Sequence, residues 1–288
     1  GIVERQVIRV VTPGTVISQN MLSEKENNFL CSIFLQGNDS GISWADISTG
    51  EFFAMQLKDD PTHDKLLSQL VKIAPHEIIT DASEEEAPWL WEQQAYFDKL
   101  LISVPQGDLF DAGCCLESLT AHYGRNALKA KGLAEEDVPL ICRSTGALLG
   151  YLRTTQMQEM THLSDVRICS MSSSMSLDKA TIRNLELTET LFDHKLNGSL
   201  LGVLDRCGTA MGSRKMKQWL REPLNDLQMI NDRLDAVDAF CSDIIVRNNT
   251  REALKAIYDL ERLCGRISMG TANARDLLAL KTSLSQIP

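Results

Sequence analysis

A chain of 288 residues that is 43% hydrophobic and 24% charged has the composition of a folded globular protein. It is long enough for one large domain or two ordinary ones. Its net charge of −10 is unevenly spread: residues 1–150 hold 11 Lys/Arg against 22 Asp/Glu, and residues 151–288 hold 18 against 17. The contrast reads as two domains, and the acidic half argues against tight DNA binding by this chain alone. The cysteines (Cys31, Cys114, Cys115, Cys142, Cys169, Cys207, Cys241 and Cys264) show no C-x-x-C spacing. They read as buried small apolar groups in a reduced compartment. The opening GIVERQVIRV is neither a signal nor a transit peptide, and no apolar run is long enough to span a membrane, so a cytoplasmic location is expected.

Residues 2–11 alternate and are β-branched, which predicts a strand or extended linker before the turn at Pro13-Gly14. Residues 29–35 (FLCSIFL), 42–47 (ISWADI) and 51–57 (EFFAMQL) are separated by Gly-containing turns and predict an antiparallel meander. Leu66, Leu67, Leu70, Val71 and Ile73 give residues 62–74 a helical pattern that Pro75 closes. Residues 76–80 (HEIIT) are the next predicted strand. The acidic start at 84–86 predicts a helix over 84–97, and residues 100–104 an edge strand. Helices over 110–123 and 138–155 follow, parted by Gly124 and Gly132. Strands followed by helix–strand alternation imply an α/β fold with helices packed on a mixed sheet.

Residues 161–177 are polar and β-branched and read as an extended crossing between domains. From there the pattern is all-α. Asp178 is the expected N-cap of a helix over 179–191. Asn197 or Ser199 precedes a helix at 200–206, Thr209 one at 210–221 that Pro223 stops, and Asn225 or Asp226 one at 227–241. Residues 251–267 and 274–287 each carry a helical apolar stripe. That stripe runs to the last residues, so the chain is expected to be an interior piece that stops in mid-helix.

No G-x-x-x-x-G-K-[ST], G-x-G-x-x-G or G-x-S-x-G occurs, and His63, His76, His122, His162 and His194 have no metal-ligand spacing. No catalytic, cofactor or metal residue is therefore assigned. One alternative is a metal-dependent nuclease using Asp46 and Glu51, since such enzymes converge several carboxylates on two metals. The competing reading of Asp46-Ile47-Ser48-Thr49-Gly50 is a polar hairpin end. A second alternative is a free-standing DNA-binding scaffold. Arg214, Lys217 and Arg221 share a helix face by their spacing and are the candidate phosphate contacts; the competing reading is a solvated face. Residues 84–86 and 135–137 are acidic runs that read as solvated helix starts or partner patches. Asp205 and Arg214 are placed to pair across the turn at Cys207-Gly208, and Gly212 suits close helix packing.

VIRVVTPGT (7–15), ADISTGEF (45–52), LDKATIRNLELTETL (177–191), LLGVLDRCGTAMGSRKMKQWLREPL (200–224), INDRLDAVDAF (230–240) and YDLERLCGRIS (258–268) together, in this order, resemble the MutS family of DNA mismatch repair ATPases. The resemblance covers essentially the whole chain. It implies a linker from a mismatch-binding domain over 1–24, a connector domain of RNase-H-like fold over 25–155 and part of a helical lever domain over 156–288. It also implies a longer parent that hydrolyses ATP with Mg, binds mismatched double-stranded DNA, forms a homodimer and recruits MutL. The family's Phe-x-Glu mismatch-reading triplet and its P-loop are missing here, so ATP and Mg are expected in the parent alone. The implied role of this piece is to transmit nucleotide and DNA state and to help dock MutL. By alignment the docking helix is 110–123, with Glu117 and Ser118 as the residues to look at, although other members are glutamine-rich there and this chain is not.

Overall fold

The computed structural model describes residues 8–97, 99–131, 133, 140–163, 165–171 and 174–287. The chain divides into two compact units. One comprises Gly1–Leu22, Asn28–Leu66 and Ile73–Cys169; the other comprises Ser23–Asn27, Leu67–Lys72 and Ser170–Pro288.

The first unit is built on a six-stranded mixed sheet of order β5-β4-β1-β2-β3-β6. Strands β1 (Leu30–Gln36), β2 (Asp39–Asp46) and β3 (Glu51–Leu57) form the expected meander, with Leu30 opposite Ala45 and Asp46 opposite Glu51. Gly37 and Gly50 take positive φ at the two turns (60° and 82°), a conformation glycine adopts without the Cβ clash other residues meet. On the far side of β1, β4 (Glu77–Thr80) and then β5 (Leu101–Ser103) add in parallel; on the other edge β6 (Arg167–Ile168) pairs in parallel with β3. Helix α1 (Asp64–Ile73) precedes β4 in the chain; Leu66 is fully buried, and Leu67–Lys72 of this helix group with the second unit.

Helix α5 (Leu140–Gln156) lies on the sheet against β1 and β2, and α3 (Ala112–Tyr123) packs on α5. The approach is close because the facing residues are small. A Cβ on Gly41 of β2 would fall 2.0 Å from the Leu140 carbonyl oxygen, and one on Gly146 of α5 would fall 2.5 Å from the Cys115 Cβ of α3. Nearly every side chain of α5 is buried, so its sequence lacks the polar face that marks a surface helix.

Two expectations for this unit change. Residues 84–97 are not one helix: the acidic run sits in a turn where Ser83 and Glu86 bond each other. Helix α2 (Pro88–Trp91) starts only at Pro88, followed by a 3-10 turn over Glu92–Ala95. Proline fits the first turn of a helix but not its interior. Residues 8–12 form no strand, which leaves the linker reading in place, and residues 1–7 lie outside the described ones, as does the acidic run 135–137. Between α3 and α5 a short helix, α4 (Arg125–Ala130), intervenes.

The second unit is helical: α6 (Lys179–Asn184), α7 (Leu200–Leu204), α8 (Ala210–Arg221), α9 (Leu227–Ser242), α10 (Ile244–Lys255), α11 (Leu260–Ser268) and α12 (Ala274–Leu284). Each begins on a side-chain cap, supplied in order by Asp178, Ser199, Thr209, Asp226, Asp243, Asp259 and Asn273. The caps satisfy amide groups that the first turn leaves unpaired. The predicted helix 251–267 is two helices, because the chain turns at 256–259 and Asp259 caps a new start. The break preserves the phase of the apolar spacing, which hid it. The predicted helix 179–191 ends at Asn184, and Glu186 takes a positive φ of 48°. Helices α9 and α10 bury no side chain, and Leu227, Leu234, Val237, Ile244 and Ile245 are all more than half exposed.

The thiols divide: Cys31, Cys115 and Cys142 are buried, while Cys114, Cys241 and Cys264 are exposed and not the buried groups expected. Among the described residues no helix is long and apolar enough to cross a membrane.

Candidate functional site

The helical unit is organised around charge. Arg214 projects from α8 with its side chain only 3% exposed. It makes a two-pronged contact with Asp259, Nη1 to Oδ2 at 2.7 Å and Nη2 to Oδ1 at 2.8 Å, while Nη2 also donates to Glu261 Oε2 at 2.6 Å. Nη1 further donates to the Glu24 carbonyl oxygen at 2.9 Å. The planar guanidinium is suited to this fork, which a lysine cannot reproduce. Burial disfavours the charge on Arg214, but the bonds and charges of Asp259 and Glu261 outweigh it and raise its pKa. Burial also disfavours ionisation of Asp259, and there Arg214 prevails again and holds the carboxyl below its ordinary range.

The other two candidate phosphate contacts stand nearby on the same helix. Lys217 donates to Glu26 Oε1, and burial followed by the charge of Arg221 pulls its pKa down. Arg221 is half-buried, with Nε finding no hydrogen-bond partner among the described residues. Burial lowers its pKa against the opposing charges of Glu26, Glu189 and Glu222. The three cations therefore share one neighbourhood, and it is lined by carboxylates of the same unit. Asp205 does not meet Arg214. It pairs with Lys25 at 2.9 Å and accepts from Ser213 Oγ at 2.9 Å and the Cys207 amide at 3.2 Å. The partners Asp259 and Glu261 fall within the predicted helix 251–267, and nothing in the sequence spacing pointed to them as partners of Arg214. The place of Asp259 at the foot of an apolar stripe was the available sign of a cap.

Among the described residues of the α/β unit, two carboxylates, Asp46 and Glu77, have no exposed surface. Asp46 accepts from Ser48 through its amide (2.9 Å) and its hydroxyl (2.6 Å), and from the Asn28 amide (2.9 Å). His162 Nε2 lies 2.8 Å from the Ile47 carbonyl oxygen at the same hairpin. Asp46 thus closes a hairpin, with Glu51 opposite it in register. Glu77 was not singled out by sequence, although a carboxylate inside the strand HEIIT requires partners. It accepts from Thr12 Oγ1 at 2.5 Å, the Gly14 amide at 2.8 Å and Tyr151 Oη at 2.6 Å. Burial and then the Glu77 carboxylate keep the Tyr151 proton in place and raise its pKa. Among the described residues no three His, Cys, Asp or Glu side chains group as metal ligands.

On α3, Glu117 is exposed and Ser118 is half-buried. Ser118 Oγ lies 3.6 Å from the position a Cβ on Gly150 would take, so it turns toward α5. Cys114 and Leu116 complete an exposed face with Glu117. The two docking candidates thus share a helix but not a direction.

Residues 28–164 match the family model for MutS domain II, and residues 180–288 match that for MutS domain III. Over 290 residues the chain is 39% identical to the DNA mismatch repair protein MutS of Alkaliphilus oremlandii, with all of this chain and 33% of the relative covered. It is 39% identical over 291 residues to that of Acetivibrio thermocellus, again over all of this chain and 32% of the relative. The MutS of Methanosarcina barkeri is 38% identical over 299 residues, with all of this chain and 33% of the relative covered. The chain spans about a third of the length of the curated relatives it matches.

Proposed function

Since the chain belongs to the MutS family of DNA mismatch repair proteins, we propose that its two units are the connector and lever of a mismatch-binding ATPase. The observation that carries this is the collinear match of two successive domain models to a chain that itself forms two compact units. On this reading the chain is not itself catalytic. The parent binds mismatched DNA, works as a homodimer and hydrolyses ATP with Mg, and these two domains relay its state. The proposed bounds are linker 1–24, connector 25–155 and lever 156–288, although the compact α/β unit runs on to Cys169 and includes β6. A meander β1-β2-β3, with β4 and β5 parallel to β1 on its other side, supports an RNase-H-like connector. A nuclease is disfavoured because Asp46 is buried and occupied by three donors. The ion pairs of Arg214 and Lys217 favour an organising role inside the lever over contact with phosphate.

The test is a chimaera in which this chain replaces the equivalent segment of the Alkaliphilus oremlandii protein. Mismatched DNA is expected to change its ATP turnover as in the parent. A chimaera that folds and binds mismatched DNA but hydrolyses ATP at one fixed rate would sink the relay role. For MutL, the exposed face of α3 is the proposed dock. Glu117→Lys in the chimaera is expected to weaken MutL recruitment, and undiminished recruitment would remove that assignment.

A further inference from the structure

Residues Ser23–Asn27 group with the helical unit, although the chain on both sides of them, to Leu22 and from Asn28, groups with the α/β unit. Contacts within the helical unit hold this short segment. Arg214 Nη1 donates to the Glu24 carbonyl oxygen at 2.9 Å, and Arg262 Nη2 donates to the Glu26 carbonyl oxygen at 2.6 Å. Lys25 pairs with Asp205 at 2.9 Å, and Glu26 pairs with Lys217. The grip is therefore of two kinds: two arginines hold main-chain oxygens two residues apart, and side chains of opposite sign read Lys25 and Glu26. Both arginines are nearly inaccessible to water, at 4% each, and Arg214 is itself fixed by Asp259 and Glu261.

We propose that residues 23–27 are a charge-clasped strap, a segment that ties the chain running into the α/β unit onto the helical unit. The segment leaves little slack. Asn28, the first residue back in the α/β unit, is pinned there by its amide to Asp46 Oδ2 and its Nδ2 to the Pro13 carbonyl oxygen, each at 2.9 Å. Only Asn27 stands between the anchors at Glu26 and Asn28, and two residues of extended chain reach about 7 Å. Opening of the clasp therefore frees residues 23–27 next to an Asn28 that stays held at Asp46 and Pro13. The strap stands on geometry alone; its use as a coupler of nucleotide and DNA state rests on the function proposed above.

The strap is tested by proteolysis of the 288-residue chain with a glutamate-specific protease, scoring cleavage after Glu24 and normalising each rate to a peptide of the same sequence. Glu26→Lys turns the pairing with Lys217 into repulsion. It is expected to speed cleavage after Glu24 about tenfold, as does 1 M salt, through a local opening that leaves other sites protected. The neutral pair Lys25→Gln/Glu26→Gln removes attraction without adding repulsion and is expected to give an intermediate rate. Cleavage at the wild-type rate in both variants overturns the strap. So does faster cleavage that appears only together with cleavage after Glu222 and Glu261, at the end of α8 and in α11, since that is unfolding of the unit. The coupler is tested in the chimaera: an opened strap with unchanged mismatch-dependent ATP turnover overturns coupling. A chimaera with its native strap and no mismatch response instead overturns the proposed function, and the proteolysis result still decides the strap.

Discussion

Arg214 and Asp259 illustrate how much a single buried pair can carry when apolar burial is sparse. Arg214→Met removes the cation and leaves Asp259 and Glu261 facing each other, so a loss of about 3–5 kcal/mol in the helical unit is expected in urea unfolding. Asp259 also sets a pH response. Its folded pKa is depressed by Arg214 against the cost of burial, whereas in the unfolded chain it titrates near 3.9. The unfolded state binds the proton first, so this contribution is complete above about pH 4 and is lost as the pH falls through the folded value. The urea midpoint of the unit followed from pH 6 to pH 2.5 should decline at the acid end, and Asp259→Asn should flatten that part of the curve. In the other unit, Tyr151→Phe deletes one of three donors to the buried Glu77 carboxylate. The expected cost is about 1–2 kcal/mol by the same measurement; an unchanged midpoint would mean that Glu77 does not need the tyrosine.

At the scale of elements, α5 and the sheet depend on the absence of side-chain atoms. Gly41→Ala would put a Cβ 2.0 Å from the Leu140 backbone oxygen. Since the clash is with backbone, helix and strand must part, at an expected cost of about 3 kcal/mol. A smaller change at the exposed Gly124→Ala would not contradict this, because no atom lies within 4 Å there and only its φ of 78° is strained. The meander was legible from sequence, because apolar runs between Gly-containing turns specify it; its register was not read. The lengths of α8 and α9 were legible from Thr209, Asp226 and the proline that stops α8. The break between α10 and α11 was not, because four residues of turn keep the stripe in phase. The ionic cluster was half legible: spacing put Arg214, Lys217 and Arg221 on one face, but which carboxylates they meet depends on folding that brings residues 24, 26 and 259 to them.

Across the whole molecule the two units rest on different forces. The α/β unit buries a continuous apolar sheet face and nearly all of α5. The helical unit buries few apolar side chains, and its buried positions include Arg214, Arg262, Ser213 and Asp276. Helices α9 and α10, with no buried side chain, are expected to exchange their amide protons fastest among the helices longer than two turns, and β1 and β2 slowest. Equal protection in α9 and β1 would show that the exposed faces are covered in solution.

The row of caps from Asp178 to Asn273 has a consequence for how the molecule answers its solvent. Heat capacity and denaturant sensitivity scale with the apolar surface released on unfolding. A unit that starts every helix on a polar side chain and fills its middle with ion pairs releases little such surface. It is expected to melt with a shallow dependence on urea and a steep one on ionic strength, the opposite of its neighbour. Guanidinium chloride, both a denaturant and a salt, should therefore unfold the helical unit at a lower concentration than urea equivalence would suggest. Comparing the two denaturants makes the difference between the units visible in one pair of titrations.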